Sequence, residues 1–434
     1  MQSQHSTNKY AIIGAGPSGL AGARNLQRLG IPFDGFEAHS GVGGLWDIKN
    51  PNSTVYESAH LISSKRMTEF SEFPMADEVA DYPHHSELLN YFQSFASHFG
   101  LSEHFRFSTR VERIEPHGDG WQVTLDSGES LPYAGVVIAN GLLSEPNLPQ
   151  FKGHFSGELI HSAKYKSAKI FTDKRVLIVG AGNSGCDLAV DAVHFAKSVD
   201  ISVRRGYHFV PKYVFGKPAD TVGGVLTLPA PLKQFIDGKL LKLFTGDPQK
   251  LGFPKPDHKM YESHPIVNSL ILYHLGHGDL SVKPDIAELA GERVIFRDGS
   301  EQAYDLIVLA TGYKLHYPFI EKDLLCWQNG KPDLYLHCYH PKFDNLFVLG
   351  MLEATGIGWQ GRYEQAELMA HFIVANRRNS AAARAFKQAK NGTPPDLNGG
   401  FNYLKLDRMA VYVHKNTYIS HLRKHLRRFK KEIA

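Results

Sequence analysis

The stretch Val176–Gly185, "VLIVGAGNSG", nearly repeats Ala11–Gly19, "AIIGAGPSG". Each joins a short apolar run to three glycines in the pattern G-x-G-x-x-G. Around the first, Lys9 to Ile13 is β-prone, and Leu20, Ala23, Leu26 and Leu29 recur at helical spacing after Pro17. A strand, a glycine turn and a helix form the setting in which this pattern binds a dinucleotide. Gly14 permits the tight turn, Gly16 admits a pyrophosphate to the backbone amides, and Gly19 lets the helix lie against the strand. Pro17 and Ser18 open a helix whose N-terminal dipole favours phosphate. The second copy reads likewise, with Arg175 to Val179 as strand and Gly180, Gly182 and Gly185 in the turn. Asn183 and Ser184 fall within that turn, and Cys186 to Phe195 follows as helix.

A second repetition supports the first. "VTLDSGESLPYAGVVIANG", Val123 to Gly141, aligns without gaps to "VIFRDGSEQAYDLIVLATG", Val294 to Gly312, at a constant offset of 171. Each reads as a strand, a glycine turn, a returning strand and a buried apolar strand. The glycine loops are offset by 166, so the order is loop, hairpin and strand, then the same again. The chain reads as a duplicated dinucleotide-binding unit, an α/β fold of two Rossmann-like, three-layer domains.

The two loops differ at the end of the next strand. Glu37 lies 23 residues after Gly14, whereas Arg204 lies 24 after Gly180 and is followed by Arg205. A carboxylate there accepts hydrogen bonds from ribose hydroxyls and repels a 2′-phosphate, while guanidinium groups pair with that phosphate. The first site therefore suits FAD and the second suits NADPH over NADH.

Composition narrows the class. The 434 residues allow two or three domains, and 42% hydrophobic with 21% charged residues is ordinary for a globular protein. A net charge of +4 is no nucleic-acid footprint. The tail Lys415 to Ala434 carries seven Lys and Arg against one acid. It reads as the solvated face of a final helix, with a membrane-surface or partner-docking role as the alternative. No apolar run reaches the roughly 18 residues of a membrane span, and the start "MQSQHSTNK" is too polar for a signal peptide. Cys186, Cys326 and Cys338 form no redox pair, so a reducing cytoplasm is the expected compartment. The 23 histidines form no metal-ligand spacing, and no metal is expected.

These residues, with those between the loops, resemble the flavin-containing monooxygenase family in its soluble, bacterial form. "FSGELIHSAKY", with Phe155, Gly157, His161 and Tyr165, matches that family's fingerprint F-x-G-x-x-x-H-x-x-x-Y. "GVGGLW", Gly41 to Trp46, resembles its flavin-contacting turn, which implies Gly44, Leu45 and Trp46 at FAD. "LATGY", Leu309 to Tyr313, resembles its crossing between domains. The likeness runs from Tyr10 to about Arg378 and implies an NADPH domain inserted in a discontinuous FAD domain. The expected spans are 1–167 for the first FAD part, 168–305 for the NADPH domain with an insert at about 212–286, and 306–434 for the second FAD part with C-terminal helices. "GIGWQGRYEQAELMAHFI", Gly356 to Ile373, fits the helix that closes such flavin sites, with Gln360 in its first turn. Trp359 beside it has core packing as its alternative role.

The resemblance implies that NADPH reduces the flavin and that O2 adds at flavin C4a to form a hydroperoxide, which oxygenates a soft nitrogen or sulfur nucleophile. Spent NADP would stay bound, anchored by Asn183, Ser184 and Arg204. One departure stands out. Where the family offers an asparagine in a segment shaped like YxSxxxNxSK, Tyr56 to Lys65 reads "YESAHLISSK", with Ile62 at that position. His60, Ser63 and Ser64 are the candidates for the polar role. His264, Asn268 and His277 in the insert are candidates for a substrate entrance or for surface loops. Ile62 keeps Baeyer–Villiger ketone oxygenation and uncoupled NADPH oxidation to peroxide as alternatives, and a non-catalytic FAD/NADP redox sensor is the reading from another class. The sequence leaves a homodimer open as the assembly.

Overall fold

The computed structural model describes residues 8–222 and 228–433. Most of the polar start, residues 223–227 of the expected insert, and the final residue of the basic tail lie outside them. Tyr10–Ile13 and Arg175–Val179 are strands, and alternate residues of each serve different cores. Ile12 packs with the helices while Ala11 and Ile13 pack under an antiparallel sheet. Val176 and Ile178 face helices, and Leu177 and Val179 face the opposite layer. A strand that is apolar on both faces belongs between two covering layers.

Tyr10–Ile13 is the central strand of a five-stranded parallel sheet in the order Phe105–Arg106, Phe33–Phe36, Tyr10–Ile13, Gly135–Ile138, Leu346–Val348. Arg175–Val179 holds the same place in a second sheet, ordered Ser281–Lys283, Ser198–Ser202, Arg175–Val179, Leu306–Leu309, Glu158–His161. The repeated stretches form equivalent hairpins. Gly120–Leu125 and Ser130–Tyr133 lead into Gly135–Ile138, and Arg293–Phe296 and Glu301–Ala303 lead into Leu306–Leu309. Each unit is thus helices, parallel sheet and antiparallel sheet, in three layers.

The fifth strand of each sheet lies outside its strand–helix–strand repeat. Leu346–Val348 follows the second unit, which makes the first discontinuous, and Glu158–His161 precedes the second glycine loop. The second sheet therefore overruns the expected span of 168–305 at both ends, taking Glu158–His161 and Leu306–Leu309. A four-residue apolar strand carries no mark of the sheet it will join, so its partners are set only by tertiary pairing. The expected insert also gives Ser281–Lys283 to the sheet edge. Its helix Ala230–Thr245 turns Leu232, Phe235, Ile236, Leu240 and Leu243 outward, with Leu243 78% exposed.

The fingerprint residues lie where the units meet. The buried Tyr165 donates its hydroxyl hydrogen to Asp191 Oδ2 at 2.7 Å, and Ser58 Oγ donates to the same oxygen. One turn earlier on the helix Asn183–Val193, Asp187 Oδ2 accepts from the Tyr56 hydroxyl at 2.9 Å. Lys166 Nζ donates to the carbonyls of Ser53 and Val55 at 2.6 and 3.0 Å. Together these contacts fasten the segment just before Ile62 to the second unit's helix. His161 Nδ1 accepts from the Ala163 amide at 3.1 Å, so its Nε2 carries the hydrogen and donates to the Gly312 carbonyl at 3.1 Å. A Cβ on Gly157 would come within 2.7 Å of the Phe155 ring and 2.8 Å of the Asp305 carbonyl oxygen, which excludes any larger residue.

Two outcomes follow from these ties. Asp191→Ala leaves the Tyr165 hydroxyl without its acceptor and is expected to lower the unfolding free energy by about 1–3 kcal/mol in a denaturant titration. An unchanged midpoint would show that the clamp is dispensable. Arg175 grips Asp305 through Nε and Nη2 at 3.0 and 2.6 Å and through its backbone amide at 2.7 Å, holding that carboxyl down to about 2. A depressed folded-state value gives stability that is present above the unfolded value of about 3.9 and is lost as pH falls through about 2. Asp305→Asn should therefore flatten the acid limb of stability in that window, read by urea midpoints between pH 5 and 2.

Candidate functional site

Both glycine loops are built to the same geometry. Gly14 and Gly180 have φ of +105° and +101°, a conformation open to glycine at little cost. A Cβ on Gly19 would stand 1.8 Å from the Gly14 carbonyl oxygen, and one on Gly185 would stand 1.9 Å from that of Gly180. The helices Pro17–Arg28 and Asn183–Val193 start at Gly16 and Gly182, neither of which has a side-chain cap. The first-turn amides, including those at Ser18 and Gly19, are therefore left to a ligand, and the helix dipole makes that ligand an anion. These two open cradles fit the pyrophosphates of FAD and NADPH.

Glu37 is 8% exposed and takes the Ala15 amide on Oε2 at 2.6 Å and the His39 amide on Oε1 at 2.8 Å. Its orientation is thus fixed by the first loop itself. Arg204 is exposed, and among the described residues it makes no ion pair. Arg205 turns instead toward Asp257, Nη2 to Oδ2 at 3.9 Å, and its Nε is buried without a hydrogen-bond partner among the described residues. The two arginines, expected to act together, are placed unequally. Asn183, expected as an anchor for the dinucleotide, has its side chain engaged by the insert. Its side-chain oxygen accepts from the Val267 amide at 2.7 Å and its amide donates to the Pro265 carbonyl at 3.3 Å, pinning the insert. Ser184 beside it is exposed.

Gly44–Trp46 is a short turn held by the Gly43 amide on the Ala15 carbonyl at 3.0 Å, with Leu45 packed toward the second unit. Trp359, at the start of the helix Gly358–Arg377, is core. It is 7% exposed and packs at 4.5 Å from Phe92, 5.9 Å from Tyr91 and 6.0 Å from Trp46 between ring centroids. Gln360 Oε1 accepts from the Ser71 amide at 2.9 Å, so the side chain is occupied while the first-turn backbone remains uncapped.

The three candidates around Ile62 separate. His60 is exposed and bonds the Ser58 carbonyl through Nδ1 at 2.8 Å. Ser63 shares a hydrogen bond with the Thr68 hydroxyl at 2.7 Å. Ser64 is buried, its amide donates to Asp220 Oδ2 at 2.7 Å, and its hydroxyl has no partner among the described residues. In the insert, Asn268 is buried and donates to Asp187 Oδ1 at 2.6 Å, while His277 is exposed against Tyr273. Burial and the charge of Arg408 press the His264 imidazole down to about 4.

Several residues that build this site went unread in the sequence. Asp187 and Asp191 stand four apart on the second-loop helix, a spacing that places both on one face. That spacing was a usable signal. Asp220 and Arg408 offered none, because their neighbours come from remote parts of the chain. Among the described residues no group of three His, Cys, Asp or Glu could hold a metal, and no helix is long and apolar enough to cross a membrane.

The chain is similar to known proteins along most of its length. Residues 7–376 match the family model described as FMO-like, flavin-binding monooxygenase-like. Flavin-containing monooxygenase 5 of Oryctolagus cuniculus is 31% identical over 376 residues, covering 80% of this chain and 70% of that protein. Flavin-containing monooxygenase 1 of Homo sapiens is 30% identical over 375 residues, with the same coverage. Among solved structures, cyclohexanone monooxygenase from Rhodococcus sp. Phi1 bound to NADP+ superposes with a TM-score of 0.72 at 20% identity, covering 98% of this chain and 97% of that one. S-allyl-L-cysteine S-oxygenase from Allium sativum gives 0.66 at 21% identity, covering 98% and 92%. These structures share the two-unit fold. The chain belongs to the flavin-binding monooxygenase-like family, and is a flavin-dependent monooxygenase that binds FAD and takes its reducing equivalents from NADPH.

Proposed function

We propose that this enzyme oxygenates soft nitrogen or sulfur nucleophiles, amines and sulfides, with FAD in the first cradle and NADPH in the second. The observation that carries the assignment is the contrast between two uncapped loops of equal geometry, one ended by a buried Glu37 and the other by an exposed Arg204. FAD, when bound, supplies oxygen activation after reduction by NADPH. The protein's part is to orient and enclose. Glu37, fixed by the Ala15 and His39 amides, presents its remaining lone pairs to a ribose. The uncapped first turn of Gly358–Arg377 would offer its amides to the flavin, where reduction develops negative charge. Ser64, whose hydroxyl has no partner among the described residues, is the residue we assign to the polar role left by Ile62. Thioethers are a substrate class consistent with the S-oxygenase that shares the fold. Cys186 and Cys338, buried as free thiols, support a cytoplasmic setting.

Ile62 favours a second reading, in which more NADPH turns over to peroxide or a ketone is oxygenated instead. An isoleucine offers no hydrogen bond where the family pattern has an asparagine.

Three measurements test these readings and the cofactor assignment beneath them. NADPH consumption over a panel of amines, sulfides and ketones, with peroxide assayed in parallel, should rise with an amine or sulfide and yield oxygenated product. Stoichiometric peroxide under all conditions would leave the oxidase reading standing. Arg204→Ala should raise the KM for NADPH by about tenfold or more while changing that for NADH little, since a charged contact contributes about 1.5–3 kcal/mol. Equal changes would remove the 2′-phosphate assignment. Ile62→Asn should lower peroxide formed per NADPH by about fivefold, the factor given by one hydrogen bond of about 1 kcal/mol. No change would show that Ser64 or another group already fills the role.

A further inference from the structure

The outer faces of the two cradles are covered differently. A Cβ on Gly16 would meet the backbone of Gly44, its Cα at 3.6 Å and its amide nitrogen at 4.0 Å. A Cβ on Gly182 would have one heavy-atom neighbour within 4 Å among the described residues, Nη1 of Arg408, at 4.0 Å. Neutral backbone thus closes over the first loop and a guanidinium tip closes over the second. Gly182 is the middle glycine, the one whose missing side chain lets a pyrophosphate approach the backbone. Arg408 therefore points to the place that a dinucleotide's pyrophosphate occupies.

Arg408 lies on the turn Asp407–Met409, beyond residue 376 where the family match ends. The surrounding strand-like segment is held in place at several points. Glu353 and Val411 to Val413 exchange backbone hydrogen bonds at 3.0 and 2.8 Å, and the Leu404 amide donates to the Glu262 carbonyl at 2.9 Å. Tyr412 shares a hydrogen bond with the Thr355 hydroxyl at 2.6 Å, and Met409 is buried beneath. These contacts fix the turn, yet Arg408 itself is exposed and makes no hydrogen bond or ion pair among the described residues. Tyr207 lies within reach of the charges of Arg408, Arg205 and Arg204. Of the three, Arg408 alone stands beside the uncapped helix start, and its charge also reaches the Glu353 carboxyl and His264.

We propose that Arg408 binds the pyrophosphate of NADPH at the second loop, while Arg204 reads the 2′-phosphate. The inference rests on the NADPH assignment made above. It gives the C-terminal segment a share in the cofactor site, and it divides affinity from selectivity. A contact to the pyrophosphate serves every dinucleotide alike, whereas a contact to the 2′-phosphate discriminates between them.

Isothermal titration of the FAD-loaded enzyme with three ligands tests this division. ADP-ribose carries a pyrophosphate and no 2′-phosphate, 2′-AMP carries the reverse, and NADP+ carries both. Arg408→Ala should raise the Kd for ADP-ribose and for NADP+ by the same factor, on the order of tenfold or more, and leave that for 2′-AMP unchanged. Arg408→Lys should recover part of the loss, and FAD content should match the wild type in both variants. Arg204→Ala should weaken 2′-AMP and NADP+ and spare ADP-ribose. Wild-type affinity of Arg408→Ala for ADP-ribose overturns the proposal, as does a loss confined to 2′-AMP and NADP+. Failure of the wild-type enzyme to bind any of the three would instead defeat the NADPH assignment beneath it.

Discussion

At both loops a helix lies so close to the strand before it that the third glycine would carry a Cβ less than 2 Å from the first glycine's carbonyl oxygen. This contact sets the direction of the helix and aims its uncapped amides at one point in space. The sheets, hairpins and crossings can be regarded as the frame that holds this approach twice. An alanine at Gly19 or Gly185 would overlap backbone, which has no flexible end to yield. The same approach also explains why each strand is apolar on both faces, since the helix covers one side and an antiparallel sheet the other.

The second requirement is that the two cradles keep a fixed relation, and the fingerprint residues supply it. Tyr165 and Tyr56 bring their hydroxyls to Asp191 and Asp187, so the second-loop helix grips the segment that runs into Ile62 and Ser64. His161 bonds the crossing at Gly312 as a neutral imidazole, its proton affinity lowered by burial. A motif that marks the family is here a joint between units, and no fingerprint side chain needs to touch a reacting atom to be required. Chain continuity adds to that joint, because the first unit is completed by Leu346–Val348 only after the chain has passed through the second.

Much of this was legible because it depends on local chemistry. The glycine spacing, the duplicated hairpins and the change from Glu37 to Arg204 each express a constraint acting within about thirty residues, the length of one strand–helix–strand unit. Trp359 kept two roles open in the sequence, since a tryptophan at a helix start serves a core or a cofactor equally well. Only its packing against Phe92, Tyr91 and Trp46 decides for the core. Asn183 suggested a ligand for NADP, and its local pattern gave no sign that its side chain also bonds the insert through Pro265 and Val267.

The sequence by itself determined that two glycine-loop cradles exist, that a carboxylate ends one and arginines the other, and that the apolar strands are buried between layers. Those properties follow from backbone sterics and from charge at fixed spacing, which neighbouring residues carry. Tertiary structure alone decided which sheet Leu306–Leu309 joins, that Arg205 faces Asp257 while Arg204 stays exposed, that the Ser64 hydroxyl is buried with no partner among the described residues, and that Arg408 lies beside Gly182. These placements depend on how remote parts of the chain come together, and no local pattern records which remote group will fill the space beside a side chain.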